Sequence, residues 1–513
     1  MSPPSTRRSF EFFLLAALGA ALYLSNSYFT FIDDEVLIIS AAAAPVRETL
    51  HAFWIGAGQH QHPPLYDLLL HFWLALTRGA MPALRLPAIV CYLCGLWLIV
   101  RAADKLGGAP AGRAVLFLGI FWPYGFHYGR IAAWYSFCFL IVAGLTLAYL
   151  KFVEQPSKAR WVALMALACA LIYTNYFGWA MLGCLAFDFV ARNRDRILPS
   201  ARVAAASGFV LAVIYLPLWR AFVNELRRGP QFIHSPLTAV LNGGFQLYNT
   251  FVSEAIAPWV LPLGIPAFLC VAACVALVLR HAPREARRFL IYALVLMGVL
   301  TALGLIGAKR LLPVAAWVLL PTGAAWSRMP RGRAHTALSA ALAGILLLGW
   351  FGIFSRRYYS APRMIEPWRE VAAETANRAR SGAEVIGNNP SFFFYLTYEL
   401  HPPGSPGGWE MLRTFTAPGV FDANLWIERG RPLNNQVVLV LGAPGPAADP
   451  AAWGSVVWLN GHCRLASQRN YLPDPASHFK ARFMPELGEL PWRIQSWDYS
   501  CPAEMLPATS QGN

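Results

Sequence analysis

The amino-acid sequence predicts a polytopic α-helical membrane protein that carries a smaller α/β domain outside the membrane. Hydrophobic residues make up 57% of the 513 residues and charged residues 13%, whereas about 25% of an ordinary soluble domain is charged. Many apolar runs reach the roughly 17–25 residues that a helix needs to cross a bilayer. From Arg356 onward, polar residues, proline and glycine become more frequent and no run of that length remains. We therefore expect repeated membrane crossings before residue 356 and a folded domain after it.

Eleven membrane-spanning helices are predicted, one for each long apolar run. The first run lacks the small-residue cleavage site of a secretory signal peptide, so we expect a retained helix. The run at residues 65–76 is only twelve residues long, which suits an interfacial or re-entrant helix better than a span. The predicted spans cover residues 10–30, 83–104, 112–128, 130–151, 159–175, 177–192, 202–219, 258–280, 287–306, 310–327 and 335–354.

The distribution of basic residues gives these spans a direction. If the N-terminus with Arg7 and Arg8 is cytoplasmic, arginine and lysine are concentrated in the loops that fall inside, as the positive-inside rule requires. Treating residues 65–76 as a full span would invert every later loop and remove this bias. We therefore expect a multi-pass protein of the inner membrane with a cytoplasmic N-terminus and a periplasmic C-terminus. The net charge of +15 is then explained by loop bias and by attraction to membrane lipid, so no nucleic-acid partner is expected.

The change in composition divides the chain into a membrane domain, residues 1–355, and a periplasmic α/β domain, residues 356–513. The segment "EPWREVAAETANRAR" has the apolar spacing of an amphipathic helix. The segments "AEVIGNN" and "QVVLVLGAP" predict short buried strands, with "SFFFYLTYEL" as a helix between them. Seven cysteines lie in apolar runs, where they act as small hydrophobes. Cys463 and Cys501 can instead form a disulfide if their domain is periplasmic.

Three consecutive acids, Asp33, Asp34 and Glu35, follow the first span and open an outer loop over residues 31–82. A solvated helix exit is the simplest explanation of these acids, and a catalytic role is the alternative. The same loop contains "GQHQHPPLYDLLLHFWLAL". Its proline pair suits the first turn of a helix, which predicts a surface helix over residues 64–77. His60 and His62 precede that helix, either as exposed side chains or, together with carboxylates, as ligands of a divalent metal ion. No cofactor is certain from this spacing.

The order of these motifs resembles that of the GT-C membrane glycosyltransferases, in particular bacterial members similar to protein O-mannosyltransferases and to the lipid A aminoarabinose transferase. An Asp-Glu pair follows the first span, and "HPPLY" begins a surface helix in the same loop. "RLPAIVCYLCGLWLIVRAADKLGG" resembles the family's second helix with its basic end, and "HYGRIAAWYSFCFLIVAGLTLAYLKF" resembles its "YGR" stretch. "YTNYFGW" and "KRLLP" resemble two outer-face signatures. The likeness covers residues 10–355.

The sequence departs from the family at three places. Residues 131–133 are Ile-Ala-Ala, where many relatives carry an acid or an arginine. Asn175 stands where relatives often carry histidine, and His62 stands where aminoarabinose-type enzymes carry lysine. The donor sugar and the details of phosphate binding therefore stay open.

The resemblance implies inverting transfer of a sugar from a polyprenyl-phosphate donor at the outer face of the membrane. Such a displacement needs a general base near the acceptor hydroxyl and cations that stabilise the leaving phosphate. The family's aspartate corresponds to Asp34, with Glu35 beside it and Asp33 as an alternative base. The acceptor is left unknown: lipopolysaccharide, another glycan, a lipid or a protein.

The expected substrate-binding residues all lie on the predicted outer face. Arginine suits bidentate contact with phosphate, although snorkelling to lipid headgroups is the alternative for each cation. Tyr66 can stack on a sugar or anchor the interface, and Asp67 is expected to be structural or solvated. The full set is His60, His62, Tyr66, Arg130, Asn175, Tyr176, Lys309 and Arg310.

Two other classes of protein fit the composition less well. A transporter or lipid flippase would place functional charges within its spans, but the centres of the predicted spans are nearly free of charge. An O-antigen polymerase or ligase uses related lipid carriers, yet it lacks the early Asp-Glu pair combined with "HPPLY". The sequence thus favours an enzyme that acts at the outer face.

Overall fold

The computed structural model describes residues 4–55, 62–228, 236–303, 307–356, 358–360, 365–414, 418–429, 432–444, 453–471 and 492–502. The chain forms two compact units. The first unit contains Met1–Asn26, Pro45–Phe72 and Pro82–Tyr358, and the second contains Ser27–Ala44, Trp73–Met81 and Tyr359–Asn513. The start of the predicted outer loop therefore belongs to the same unit as the C-terminal region.

Helices dominate the chain before residue 356. In chain order they are α1 (Pro4–Leu24), α2 (Asp33–Ala43), α3 (Val46–Ile55), α4 (Leu65–Thr77), α5 (Leu86–Gly107), α6 (Ala109–Phe121), α7 (Pro123–Tyr128), α8 (Trp134–Glu154), α9 (Lys158–Ile172), α10 (Phe177–Arg192), α11 (Ile197–Tyr215), α12 (Trp219–Arg228), α13 (Pro236–Val252), α14 (Leu261–His281), α15 (Arg284–Ala302), α16 (Leu312–Arg328) and α17 (Arg333–Ser355).

The prediction of a polytopic helical membrane protein is confirmed. Within the described residues, six helices are long and apolar enough to cross a membrane, and a seventh span results if the bent pair α2 and α3 counts as one. The other predicted spans coincide with shorter or more charged helices. The span predicted at residues 112–128 is divided into α6 and α7, because Pro123 has no N–H to continue the helix.

Among the described residues, four helices lie in segments that the sequence predicted as outer loops. These are α2, α3, α12 and α13. Pro45 follows the end of α2 and directly precedes α3, so it separates the two helices. In α13 a Gly-Gly pair and several carboxamides interrupt the apolar run, which hides its helical character from a hydropathy argument.

The helices of the first unit pack around α5, α8 and α16. The helix α5 packs against α6 and α8, while α16 packs against α6, α8 and α15. Gly349 and Gly352 of α17 permit close approach to neighbouring segments. A Cβ atom at Gly352 would lie 2.2 Å from the carbonyl oxygen of Ala255, and one at Gly349 would lie 2.4 Å from Cγ of Pro123. The segments that carry the polar residues described below are thus held rigidly.

The C-terminal part of the second unit contains a mixed β-sheet and five helices among its described residues. Its helices are α18 (Trp368–Arg380), α19 (Pro390–Leu400), α20 (Gly408–Thr414), α21 (Ala423–Arg429) and α22 (Gly454–His462). Its strands are β1 (Glu384–Gly387), β2 (Val420–Asp422), β3 (Gln436–Pro444), β4 (Arg464–Asn470) and β5 (Trp492–Ser500).

The sheet has the order β2-β1-β3-β5-β4. The strand β1 pairs in parallel with β2 and β3, and β5 pairs antiparallel with β3 and β4. Ile386, Trp426, Leu439 and Trp497 belong to its buried apolar core. Cys463 and Cys501 form a disulfide with their Cα atoms 4.4 Å apart. The predicted strands at β1 and β3 and the helix between them, α19, are all present.

Candidate functional site

The acids that follow the first span begin α2 in the second unit. Asp34 is half-buried, and Glu35 is fully buried. The Glu35 carboxylate caps the helix, because its Oε2 accepts a hydrogen bond of 3.0 Å from the backbone N–H of Ile32. The side chain of Asp33 lies outside the described residues. Of the two acids described, Glu35 therefore has a structural role as the cap of α2.

The C-terminal part of the second unit holds α2 in place. The hydroxyl of Tyr395 on α19 accepts a 2.8 Å hydrogen bond from the backbone N–H of Phe31. The Phe31 ring packs on Phe394 with centroids 5.2 Å apart. At the far end of the helix, Ser40 donates a 2.7 Å hydrogen bond to the carbonyl oxygen of Arg413 on α20. The helix that carries Asp34 is therefore fixed at both ends by residues of the sheet-containing region.

Arg130 lies in the turn between α7 and α8 of the first unit and is 1% exposed. Its Nη1 donates to the carbonyl oxygen of Phe126 at 3.3 Å and contacts Oγ of Ser25 at 3.4 Å. The guanidinium group also lies over the Phe126 ring, 5.4 Å from its centroid. A buried cation is costly unless its surroundings compensate for lost hydration. These contacts hold the Arg130 guanidinium group in place.

A second buried arginine and a buried histidine adjoin this turn. Arg85, at the start of α5, is 2% exposed, and both Arg85 and Arg130 lie within electrostatic range of His127. Nδ1 of His127 is 2.6 Å from Oγ of Ser253. Ser253 has a φ of 63°, a left-handed conformation that costs energy for a residue with a Cβ atom. The backbone at Ser253 is thus held in a strained conformation beside a positively charged region.

Lys309 and Arg310 lie on a short 3-10 helix, Ala308–Leu311, that joins the same region. Both side chains are half-buried. The hydroxyl of Tyr124 on α7 donates a 2.5 Å hydrogen bond to the carbonyl oxygen of Ala308, and α8 also packs against this 3-10 helix. Glu254 is half-buried and lies within electrostatic range of Tyr124. Among the described residues of the first unit, the cations near α7 and the start of α8 are therefore Arg85, Arg130, Lys309 and Arg310, and Glu254 is an acid near Tyr124.

Three of the predicted binding residues, His62, Tyr66 and Asn175, lie near the start of α8 or in the turn before α10. The His62 ring contacts the Trp134 ring with centroids 4.7 Å apart, and Tyr66 contacts Phe137 at 5.9 Å. The backbone N–H of Leu65 donates to the carbonyl oxygen of Tyr173 at 3.1 Å. This bond brings the start of α4 to the turn that contains Asn175.

Asn175 and Tyr176 have local partners in this turn. Oδ1 of buried Asn175 accepts a 2.7 Å hydrogen bond from the backbone N–H of Phe177, while its Nδ2 has no partner among the described residues. Tyr176 is half-buried against Phe222, with ring centroids 5.6 Å apart. Asn175 thus stabilises the turn and presents a buried amide donor.

Asp67 on α4 is 8% exposed, which excludes the solvated alternative for this residue. Burial raises the pKa of Asp67 from an ordinary value of 3.8 to about 8. The carboxyl group is therefore largely protonated at neutral pH. Of the two roles expected for Asp67, its burial leaves the structural one.

A metal site does not emerge from the described residues. Among them, no group of three His, Cys, Asp or Glu side chains is placed to hold a metal ion. His60 lies outside the described part of the chain, so the histidine pair of the metal alternative is described only at His62.

The two groups of predicted residues belong to different units. The acids at residues 34 and 35 lie in the second unit, and the cations with His62, Tyr66, Asn175 and Tyr176 lie in the first. Within the first unit, the structure adds residues that the sequence did not single out: Arg85, His127, Ser253 and Glu254. Arg85 and His127 are the first residues of two motifs that resemble the family, "RLPAIV" and "HYGR", whereas Ser253 and Glu254 have no local signature.

Comparison with known families and structures agrees with this fold. The family model described as dolichyl-phosphate-mannose-protein mannosyltransferase matches residues 61–219. The comparison with curated protein sequences finds no match. Two crystal structures of ArnT from Cupriavidus metallidurans are similar to the chain along almost its whole length.

The apo structure of ArnT has a TM-score of 0.56 and 13% sequence identity, covering 98% of this chain and 100% of that chain. The structure of ArnT bound to undecaprenyl phosphate has a TM-score of 0.53 and 14% identity, covering 97% of this chain and 99% of that chain. At such low identity the likeness establishes the architecture. The chain has the fold of the GT-C membrane glycosyltransferases, the family that its sequence motifs resemble.

Proposed function

We propose that this protein is an inverting glycosyltransferase that moves a sugar from a polyprenyl-phosphate donor to an acceptor of the cell envelope. The reaction takes place at the outer face of the inner membrane, with the N-terminus cytoplasmic and the C-terminus periplasmic. The observation that carries the proposal is the burial of Arg130, a cation 1% exposed, in a fold shared with ArnT. ArnT has been crystallised with undecaprenyl phosphate, and a lipid phosphate is the anion that such a membrane site meets.

The cations of the first unit bind the phosphate of the donor. As the bond to the anomeric carbon breaks, negative charge develops on the phosphate oxygens. Arg130 is already desolvated and held by Phe126 and Ser25, so it stabilises that charge with little reorganisation. Lys309 and Arg310 add positive charge from the adjoining 3-10 helix. His62 and Tyr66, near the start of α8, contact the sugar or the phosphate.

Asp34 is the general base that accepts the proton of the acceptor hydroxyl. A direct displacement inverts the anomeric centre and requires one base, since no covalent sugar intermediate forms. Glu35 already caps α2 through Ile32, which leaves Asp34 as the better candidate of the two described acids. Tyr395 and Arg413 hold the helix that carries this base, so the C-terminal region contributes to the placement of Asp34.

The test is a comparison of cell-envelope glycans by mass spectrometry in cells that lack the protein or contain a variant. We expect one sugar modification to disappear without the protein and to stay absent with Asp34→Asn, because general-base catalysis contributes about 10²–10⁴-fold to rate. Glu48→Gln is the matched control, since Glu48 is an exposed acid at the start of α3. Both variants must be present in the membrane at equal amounts.

The two possible failures have different meanings. Wild-type levels of the modification with Asp34→Asn remove Asp34 as the base and direct attention to Asp33. An envelope with no glycan difference, whether or not the protein is present, contradicts the glycosyltransferase proposal itself.

A further inference from the structure

The first unit contains a row of carboxamides that the proposed mechanism does not use. Asn242, Gln246 and Asn249 follow each other on α13 at positions i, i+4 and i+7, so they share one face of the helix. Gln246 is 8% exposed and Asn249 is 0% exposed. Nε2 of Gln246 donates to Oδ1 of Asn242 at 3.3 Å. The row therefore leads from a half-buried residue into the interior of the unit.

The inner end of this row presents polar atoms that the fold does not satisfy. Among the described residues, neither amide atom of Asn249 has a hydrogen-bond partner, and Oε1 of Gln246 has none. The neighbouring Thr250 differs, because its hydroxyl donates a 2.9 Å hydrogen bond to the carbonyl oxygen of Gln246. A buried carboxamide without partners loses its hydration and gains nothing in return. Packing alone would favour an apolar side chain of similar size at residue 249.

The surroundings of α13 place these amides beside the cationic region of the same unit. The helix packs against α7 and against the 3-10 helix that carries Lys309 and Arg310. Nε1 of Trp122 donates a 3.0 Å hydrogen bond to the carbonyl oxygen of Phe251 on α13. The last turns of α13 are buried from residue 248 to 252. A ligand whose phosphate meets these cations is therefore bound beside the helix that carries the amide row.

We propose that Asn249 and Gln246 bind hydroxyl groups on the sugar ring of the donor. A carboxamide offers both a donor and an acceptor, which matches a hydroxyl group and suits neither a phosphate, which needs cations, nor an isoprenoid chain. The inference rests on the proposed function, which it extends from the lipid phosphate to the sugar. Because buried polar groups penalise a ligand that leaves them unpaired, these two residues also select among sugars by hydroxyl pattern.

The experiment measures binding to the purified full-length protein in lipid nanodiscs. The probes are undecaprenyl phosphate alone and a panel of undecaprenyl-phosphate-linked glucose, mannose, galactose, arabinose and aminoarabinose. The variants are Asn249→Leu and Gln246→Met, which keep size while removing the amide. Thr250→Val is the control from the same turn, since the Thr250 hydroxyl is bonded within its own helix.

For the preferred sugar-linked donor, we expect Asn249→Leu to weaken binding by at least about tenfold, the equivalent of one lost hydrogen bond of moderate strength. Affinity for undecaprenyl phosphate alone should stay within about twofold of wild type, as should both affinities of Thr250→Val. Ligand-free Asn249→Leu should melt at the same temperature as wild type or higher, because an unsatisfied amide has been removed. Gln246→Met should show the same pattern with a smaller loss.

Each other outcome overturns the inference. If Asn249→Leu lowers the melting temperature and leaves the sugar contribution intact, the amide serves the fold or an ordered water. If wild type binds undecaprenyl phosphate but no linked sugar improves affinity, the row is no sugar site, although the phosphate part of the proposed function stands. If wild type does not bind undecaprenyl phosphate at all, the proposed function fails together with the sugar site.

Discussion

Two buried polar regions of the first unit differ in how completely their groups are paired. The Asp188 carboxylate, 1% exposed, accepts hydrogen bonds from Tyr149 at 2.6 Å, Arg192 at 2.5 Å, Arg288 at 3.0 Å and Tyr292 at 2.9 Å. These partners come from α8, α10 and α15. At Asn249, by contrast, both amide atoms are buried and have no partner among the described residues.

A second network of ion pairs resembles the one at Asp188. Arg7 of α1 bonds Glu11 at 2.8 Å and Asp104 of α5 at 2.6 Å, and Arg101 bonds both acids. Both networks lie at helix ends that the sequence predicts to be cytoplasmic. The region of Arg130 and Asn249 lies at the ends predicted to face outward.

The difference separates polar groups that build the protein from polar groups that serve a ligand. A buried ion network is stable only when each charge is paired, because desolvation costs more than a single weak contact returns. In the Asp188 network each charge faces an opposite charge, although Nη2 of Arg192 has no hydrogen-bond partner among the described residues, and the network ties three helices together. On α13, which packs against α7, Asn249 instead has two buried amide atoms without a partner among the described residues, an arrangement that a bound phosphosugar would complete. A buried polar group that the fold leaves without a partner is a sign of function.

The largest expected effect is on stability, at Asp188. Asp188→Asn removes the negative charge and leaves Arg192 and Arg288 without their anion. Breaking a buried pair in this way typically costs about 3–5 kcal/mol. We expect a marked fall in the melting temperature in detergent, while the fraction that stays folded binds the lipid-phosphate donor with wild-type affinity. Asp195→Asn, a change at an exposed acid near the end of α10, is the control and should melt like wild type.

Loss of donor affinity with a normal melting temperature would reverse the assignment of Asp188. It would mean that this network, like the region of Arg130, belongs to the ligand site.

The next effect is on binding, at Arg130. Arg130→Gln removes the charge of a buried cation and keeps a polar side chain at this position. Hydrogen bonds to charged groups contribute about 1.5–3 kcal/mol, so we expect affinity for undecaprenyl phosphate to fall roughly ten- to a hundredfold. The melting temperature should stay close to that of wild type. Titration calorimetry and thermal unfolding of the same samples measure both quantities.

Arg192→Gln supplies the matched contrast, because Arg192 is bonded to Asp188. It should lower the melting temperature and leave donor affinity unchanged. If both arginine variants melt at a lower temperature and neither loses donor affinity, Arg130 stabilises the fold, and the distinction between the two regions is wrong.

Local sequence patterns were enough to predict the scaffold. Apolar runs predicted the helices that cross the membrane, since hydrophobicity over about 20 residues is a local property. The Pro63–Pro64 pair predicted a surface helix over residues 64–77, which coincides with α4 (Leu65–Thr77). Short apolar runs predicted the buried strands β1 and β3 in the same way.

Long-range contacts determine the parts of the site that the sequence did not predict. The bond that holds the start of α2 joins Phe31 to Tyr395, residues 364 positions apart. The chain around Phe31 gives no indication that a distant tyrosine will hold it. Likewise, the strain at Ser253 and the burial of Arg85 follow from helix packing, which spacing along the chain does not encode. The motifs identified candidate residues, and the fold decided which of them meet.

The smallest expected effect is on the pH dependence of stability. It concerns Asp67, a buried acid like Asp188. Asp188 is paired with arginines, whereas burial raises the pKa of Asp67 from 3.8 to about 8. Between these two values the folded protein keeps a proton at Asp67 that the unfolded chain releases. The free energy of unfolding therefore falls as pH rises through this window, by up to about 1.4 kcal/mol per pH unit. Above a pH of about 8 the contribution becomes constant.

Asp67→Asn tests this directly, because an amide keeps the shape of the protonated acid and does not titrate in this range. We expect the wild-type melting temperature to fall between pH 6 and pH 7 more steeply than that of Asp67→Asn, and the two slopes to converge at higher pH. The difference between the two slopes isolates Asp67, since every other titrating group is common to both proteins. Parallel slopes would mean that Asp67 is ionised in the folded protein, and that it is paired as firmly as Asp188.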